Sequence, residues 1–154
     1  MNIMEIAWQL KRFEELSPAE LYAILQLRIA VFILEQECLF QDADDKDQCS
    51  FHLMGWKEGK LIAYTRLVPP GEIYTQPSIG RVVTAASERN TGAGRELMKR
   101  SIEACENLFG KQPIKIGAQL YLEKFYSSLG FERVSEVYIE DGIPHIYMVR
   151  KADG

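Results

Sequence analysis

Long hydrophobic runs are missing from this sequence. Its uninterrupted apolar stretches are only a few residues, far short of the roughly 20 needed to cross a bilayer, and "MNIMEIAWQLKRF" lacks the apolar core of a signal peptide. The expectation is a cytoplasmic protein with no membrane contact. Cysteine is scarce: Cys38, Cys49 and Cys105 form no C-x-x-C pair and are odd in number, which argues against a disulfide framework or a zinc knuckle. They read as reduced thiols, and no metal is expected. Positive charge is in the minority, with 18 Lys and Arg against 22 Asp and Glu and a net charge of −4. No basic stripe runs along any expected helix, so nucleic acid is not an expected partner. No internal repeat, low-complexity tract or Pro/Gly/Ser linker divides the chain.

What is present is the composition of an ordinary globular protein, 47% hydrophobic and 26% charged. A chain of 154 residues buries roughly two thirds of its unfolded surface around one core, so residues 1–154 are expected to form one domain. Residues 5 to 13 read as a strand. "LSPAELYAILQLRIAVF" opens a helix with Ser17 as N-cap, Pro18 at the first helical position and Glu20 completing a capping box; Leu21, Leu25, Ile29 and Phe32 are its expected buried stripe. "FHLMGW" and "LIAYTRLV" flank a tight turn at Gly59, and "SIGRVVT" is the next strand. A long helix ends near Gly110. "IKIGA" is a strand, "LYLEKFYSSLG" a helix stopping at Gly130, and "FERVSEVYIEDGIPHIYMVRK" two extended runs joined across Asp141 and Gly142. The order β, α, β, β, β, α, β, α, β, β describes an α/β (α+β) fold.

The long helix starts oddly, at "RNTGAG". Glycine is a poor helix former, costing up to about 1 kcal/mol against alanine inside a helix, so Gly92 and Gly94 need a reason. A strand, a glycine turn and a helix N-terminus together present unpaired N–H groups and the positive end of the helix dipole, which suits phosphate. Glycine lets a pyrophosphate approach those amides, and Arg89 and Arg95 add charge from either side. The dinucleotide fingerprint lacks its third glycine, since Leu97 stands there, and a P-loop would need Gly-Lys-Ser/Thr. By itself the pair also fits a structural turn.

"RNTGAG" fits R/Q-x-x-G-x-G/A, and with "RVVT" before it and "FYSSLGF" after it the chain resembles the GNAT family of acyl-CoA-dependent N-acetyltransferases over almost its whole length. "VFILEQE", "AYTRLV", "GAQLYLEKFYSSLGF" and "EDGIPHIYM" resemble the ElaA-like branch. The resemblance implies a GNAT-like, mixed, mostly antiparallel central sheet with flanking helices. It implies acetyl-CoA as co-substrate, its pyrophosphate on Arg89, Asn90, Thr91, Gly92, Ala93, Gly94 and Arg95, and its pantetheine on Val82, Val83 and Thr84, where the fourth and fifth strands splay. Gln119 stands where the family often has an Asn that bonds the cofactor arm.

Acyl transfer from a thioester needs a deprotonated amine, an oxyanion donor and a proton for the departing thiolate. Tyr126 resembles the family tyrosine near the cofactor sulfur, and a phenol of pKa near 10 can protonate a thiolate whose thiol is near 8.5. A backbone N–H near Val83 is the oxyanion donor the resemblance implies. Glu35, His52, Glu140 and His145 are alternatives for the base, with "EDGIPH" placing Glu140 and His145 on either side of a turn. "QDADDKDQ" carries Asp42, Asp44, Asp45 and Asp47, but Lys46 and Asp47 break an EF-hand pattern. It reads as a solvated loop or as a lure for a cationic amine.

The expected activity is acetyl transfer to a primary amine, small-molecule or peptide, by direct attack in a ternary complex. A non-catalytic acyl-CoA-binding module and an acyl transferase related to homoserine-lactone synthases are the alternatives, the latter from "RIAVFILEQ". Edge strands in the final hairpin also suit a homodimer.

Overall fold

The computed structural model describes residues 5–152. Strands β1 (Ala7–Arg12), β2 (Phe51–Lys57), β3 (Lys60–Val68) and β4 (Ser78–Thr84) form one sheet in that order, every pair antiparallel. The β2–β3 turn is a two-residue connection in which Glu58 and Gly59 both take positive φ (51° and 77°), the backbone that a right-twisted hairpin requires. A second sheet gathers β5 (Ile114–Gln119), β6 (Phe131–Arg133) and β7 (Tyr138–Glu140) around β8 (Ile143–Arg150), again antiparallel. Asp141 and Gly142 (φ 52° and 77°) make the β7–β8 turn.

The expected run 131–140 is broken into two short strands. Val134 N–H still donates to Tyr147 O (2.9 Å), but beyond it the chain leaves the ladder, and Ser135 Oγ accepts the Tyr147 N–H at 2.8 Å in place of a backbone carbonyl. Serine competes with strand pairing in this way.

Helix α1 (Pro18–Arg28) starts as the sequence requires. Ser17 Oγ accepts the Glu20 N–H (3.1 Å) and Glu20 Oε1 accepts the Ser17 N–H (2.8 Å), a closed capping box. Its buried face, however, is not the expected one: Ile24, Leu27, Arg28 and then Val31 are buried, while Ile29 is exposed and Leu21, Leu25 and Phe32 are only partly covered. The stripe is displaced because a charged residue, Arg28, belongs to the core. The chain then runs into a π-helical segment, Ile29–Glu35, a geometry frequent at functional sites.

Arg28 is wholly buried and donates from Nε to Asp42 Oδ2 and from Nη1 to Asp47 Oδ1, both at 2.8 Å. Arg66 of β3 reaches Asp44 Oδ1 (2.7 Å) and Asp47 Oδ1 (3.0 Å), and Arg81 of β4 reaches Asp42 Oδ1 (2.8 Å). Three arginines thus face three aspartates. The acidic loop is therefore neither solvated nor a free lure for an amine, because Asp42 and Asp47 are buried and spend their charge internally. Burial raises the Asp44 carboxyl, but the hydrogen bond and charge of Arg66, with Arg81, outweigh it and hold the group at about 2. A depressed folded pKa stabilises above the unfolded value near 3.9 and the benefit fades as pH falls toward about 2. Acid titration of unfolding should therefore show stability falling through that window, and in Asp44→Asn this component of the slope should vanish.

Helix α2 (Ala93–Phe109) packs Met98, Ile102 and Cys105 beneath both sheets, against Leu67, Ile79, Ile114, Ile116 and Met148, and Leu97 against Leu53, Ile62 and Ala63, with α3 (Glu123–Ser127) beside it. Helix α1 covers the opposite face through Ile24 and Leu27 against Met54, Tyr64 and Val83. Among the described residues no helix is long and apolar enough to cross a membrane.

Candidate functional site

The two sheets meet at β4 and β5, which share no ladder; among the described residues a single backbone bond, Lys115 N–H to Pro77 O (3.0 Å), ties them at one end. Strand β4 bends away through a bulge. Thr65 of β3 faces both Arg81 and Val82, since Tyr64 pairs with Val83 and Arg66 with Gly80, and Arg81 takes a left-handed φ of 49°. Such bulges bend the bulged strand and leave backbone groups unpaired. The Asp42 salt bridge fixes Arg81 in this strained conformation, with its guanidinium carbon 5.7 Å from the centre of the Phe40 ring. The resulting wedge is a cavity of about 660 Å³.

At one end of the cavity lies the glycine turn. Gly92 caps α2 with φ 88°, and Asn90 is also left-handed at φ 65°, a conformation that Asn tolerates. Thr91 Oγ1 donates to Glu88 O (2.6 Å) and accepts from the Ala93 N–H (3.3 Å). A Cβ added at Gly94 would meet nothing nearer than Thr84 Cγ2 at 4.0 Å, and one at Gly92 nothing within 4 Å. Packing within the chain therefore does not demand glycine at 94. The open space above it fits an approaching phosphate, so the residues present suit a nucleotide diphosphate.

Of the expected cofactor residues, Val82, Val83, Thr84, Arg89, Asn90, Gly92, Gly94, Arg95 and Gln119 line the cavity. Thr91 and Ala93 do not: Thr91 braces the turn, and Ala93 is buried against the core. Arg95 donates to Ser128 Oγ at 2.7 Å and lies over Phe125. Arg89 is engaged by Glu35 through both nitrogens of its fork, Nη2 to Oε1 at 2.9 Å. Gln119 donates to Gln36 Oε1 at 3.3 Å.

Tyr126 lines the wedge, with 5% of its surface exposed and its ring edge-on to Phe125 and Phe131. Burial pushes its phenol pKa well above the usual value. The four candidate bases separate. His52 is fully buried away from the cavity; its Nε2 faces the Asp47 carbonyl (2.9 Å), which can only accept, so Nδ1 accepts from Tyr64 Oη (2.6 Å) and burial lowers its pKa. Glu35 is held below the ordinary carboxylate range by its hydrogen bond from Arg89. Glu140 and His145 both line the cavity, with His145 Nε2 3.8 Å from Glu140 Oε2. His145 Nδ1 donates to Ile143 O at 2.7 Å, so the neutral ring carries its lone pair on Nε2.

Sequence reasoning missed the bulge at Arg81, the cavity-lining π segment and Gln36, because each depends on chain neighbours far away in sequence. Cys38 also lines the cavity, whereas Cys105 is buried in the core, where its thiol is pushed up to about 12 by burial.

The sequence model of the acetyltransferase (GNAT) domain matches residues 21–152. The chain is 43% identical to protein ElaA of Escherichia coli K12 over 148 residues, 95% of this chain and 97% of that one. A crystal structure described as an acyl-CoA N-acyltransferase from Pseudomonas aeruginosa superposes with a TM-score of 0.90 at 44% identity, covering 94% of this chain and 99% of that one. A CoA-dependent acyl-homoserine lactone synthase, BjaI, superposes at TM-score 0.80 with 13% identity, covering 96% and 84%, a likeness of fold alone. With its opened β4–β5 wedge and glycine-capped α2, this chain belongs to the GNAT acetyltransferase family, in its ElaA-like branch.

Proposed function

We propose that this protein transfers an acetyl group from acetyl-CoA to a primary amine by direct attack in a ternary complex. The observation that carries this reading is the open-faced Gly94, which lies on a glycine-capped helix N-terminus at the end of the β4–β5 cavity. When bound, acetyl-CoA supplies a thioester whose carbonyl carbon forms a bond to the amine nitrogen as the carbon–sulfur bond breaks. The turn amides from Gly92 onward and Arg95 hold the diphosphate. The backbone of Val82, Val83 and Thr84, freed from pairing with β5, orients the pantetheine and offers an N–H to the developing oxyanion. Tyr126 holds a proton for the leaving sulfur, and His145 Nε2, beside Glu140, receives the proton that the attacking ammonium must lose.

Because nothing in the chain crowds position 94, Gly94→Ala, which the pattern R/Q-x-x-G-x-G/A admits, should fold, be stabilised by up to about 1 kcal/mol and keep its affinity, whereas Gly94→Glu, which sets a carboxylate against the diphosphate, should bind acetyl-CoA about tenfold more weakly or worse. Thermal melting and calorimetric titration measure the two effects, and unchanged affinity in a folded Gly94→Glu would return the glycine to a structural role. The activity itself is tested by release of free thiol from acetyl-CoA across a panel of primary amines. Amine-dependent release supports the proposal. Binding without release by any amine would leave an acyl-CoA-binding module.

A further inference from the structure

From the last residue of the π segment onward, the chain is tied to three walls of the cavity in succession. Glu35 grips Arg89 of the glycine turn, Gln36 accepts from Gln119 at the end of β5, and Cys38 Sγ lies 3.0 Å from the Asp141 carbonyl in the β7–β8 turn. All six residues line the cavity. The first tie differs from the other two because it joins charges, and because its arginine belongs to the turn assigned to the donor diphosphate. Both partners are well exposed, 38% for Arg89 and 44% for Glu35, so neither is trapped by packing.

Arg89 has one guanidinium and two anionic claimants, the Glu35 carboxylate and the diphosphate. Serving both would set a carboxylate beside a diphosphate, a like-charge contact that costs affinity. The diphosphate carries more charge and also takes the helix N-terminal amides, whereas an exposed ion pair is weak.

We propose that the Glu35–Arg89 pair is a latch on donor binding: coenzyme A takes the guanidinium from Glu35, and the freed carboxylate becomes available to a cationic amine in the cavity. The inference rests on the donor assignment above. Its physical consequence is an order of events. A carboxylate that would attract the acceptor is neutralised by Arg89 until the donor displaces it, so donor binding precedes productive acceptor binding.

The test is calorimetric titration with coenzyme A. Glu35→Gln keeps the side chain's size and removes the competing charge, so it should bind coenzyme A about fivefold more tightly than the wild type, the equivalent of one exposed ion pair. Glu14→Gln, which removes a carboxylate outside the cavity, should bind as the wild type does. In the Arg89→Ala background Glu35→Gln should give no gain. Unchanged or weaker binding by Glu35→Gln overturns the latch. So does an equal gain in the Arg89→Ala background, which would mean the carboxylate repels the diphosphate directly. If neither wild type nor Glu35→Gln binds coenzyme A, the donor assignment fails and the latch with it; wild-type binding without the gain sinks the latch alone.

Discussion

Arg28→Ala is expected to cost about 3 kcal/mol of stability, the low end of the range found when one partner of a buried ion pair is removed. Two buried carboxylates lose one guanidinium each, Asp42 keeping Arg81 and Asp47 keeping Arg66. Asp42 and Asp47 both bond the Arg28 guanidinium at 2.8 Å, and all three side chains are nearly or wholly buried. Arg28→Lys keeps the charge but not the fork that serves Asp42 Oδ2, the Asp42 carbonyl and Asp47 Oδ1 together, so it should recover only part of the loss. Asp42 also fixes Arg81 at the bulge, which links this stability to the site. A variant that still folds should bind acetyl-CoA more weakly, because the bend that frees β4 is less well held. Urea unfolding measures the first effect. A loss under about 1 kcal/mol would mean that Arg66 and Arg81 suffice to neutralise the two carboxylates.

Tyr126→Phe is expected to lower kcat by roughly 10²- to 10⁴-fold, the usual contribution of general acid catalysis, with little change in acetyl-CoA affinity or stability. The ring is what packs: Phe125 and Phe131 contact it edge-on, and phenylalanine retains those contacts. Burial that raises the phenol pKa keeps the proton in place throughout the physiological range. The same dry surroundings disfavour a thiolate and raise its conjugate pKa as well, which favours its protonation as it leaves. A phenol held above its ordinary value near 10 contributes no alkaline limb to the rate below that pH. Single-turnover kinetics with saturating amine would isolate the step. Unchanged turnover in the variant with binding preserved would remove Tyr126 from the chemistry and leave it a core aromatic.

Local patterns carried over to the structure intact. The capping box at Ser17, the turn glycines at 59 and 142, and the glycines that bound α2 at 92 and 110 depend on residues a few positions apart, and short-range sterics and hydrogen bonding decide them. The reading of α1 failed for the opposite reason. Counting only apolar residues assigned Leu21, Leu25 and Ile29 to the core, whereas Arg28 turns inward because Asp42 and Asp47, 14 and 19 residues on, neutralise it. The acidic loop was misread with it: in the sequence its aspartates have no visible partners, and in the fold three arginines from α1, β3 and β4 converge on them.

The site divides along the same line. In residues 89–95 the sequence shows two glycines at a helix start, which by themselves fit a structural turn as well as an anion site; only together with the motifs before and after them do they point to the family. That His52 lies in the core while His145 stands at the cavity beside Glu140 is beyond any local pattern, as both histidines sit in similar strand contexts.

By itself, then, the sequence determined the order of elements up to the last helix, the tight turns and the glycine-capped helix, because these follow from backbone sterics and the periods of side chains along one segment; that the run after Gly130 splits into two strands it did not. Only the tertiary structure decided that β4 leaves β5, which histidine faces the cavity, and that Glu35 holds Arg89. Those outcomes are set by pairing between segments 39 to 83 residues apart, distances over which sequence order carries no geometry.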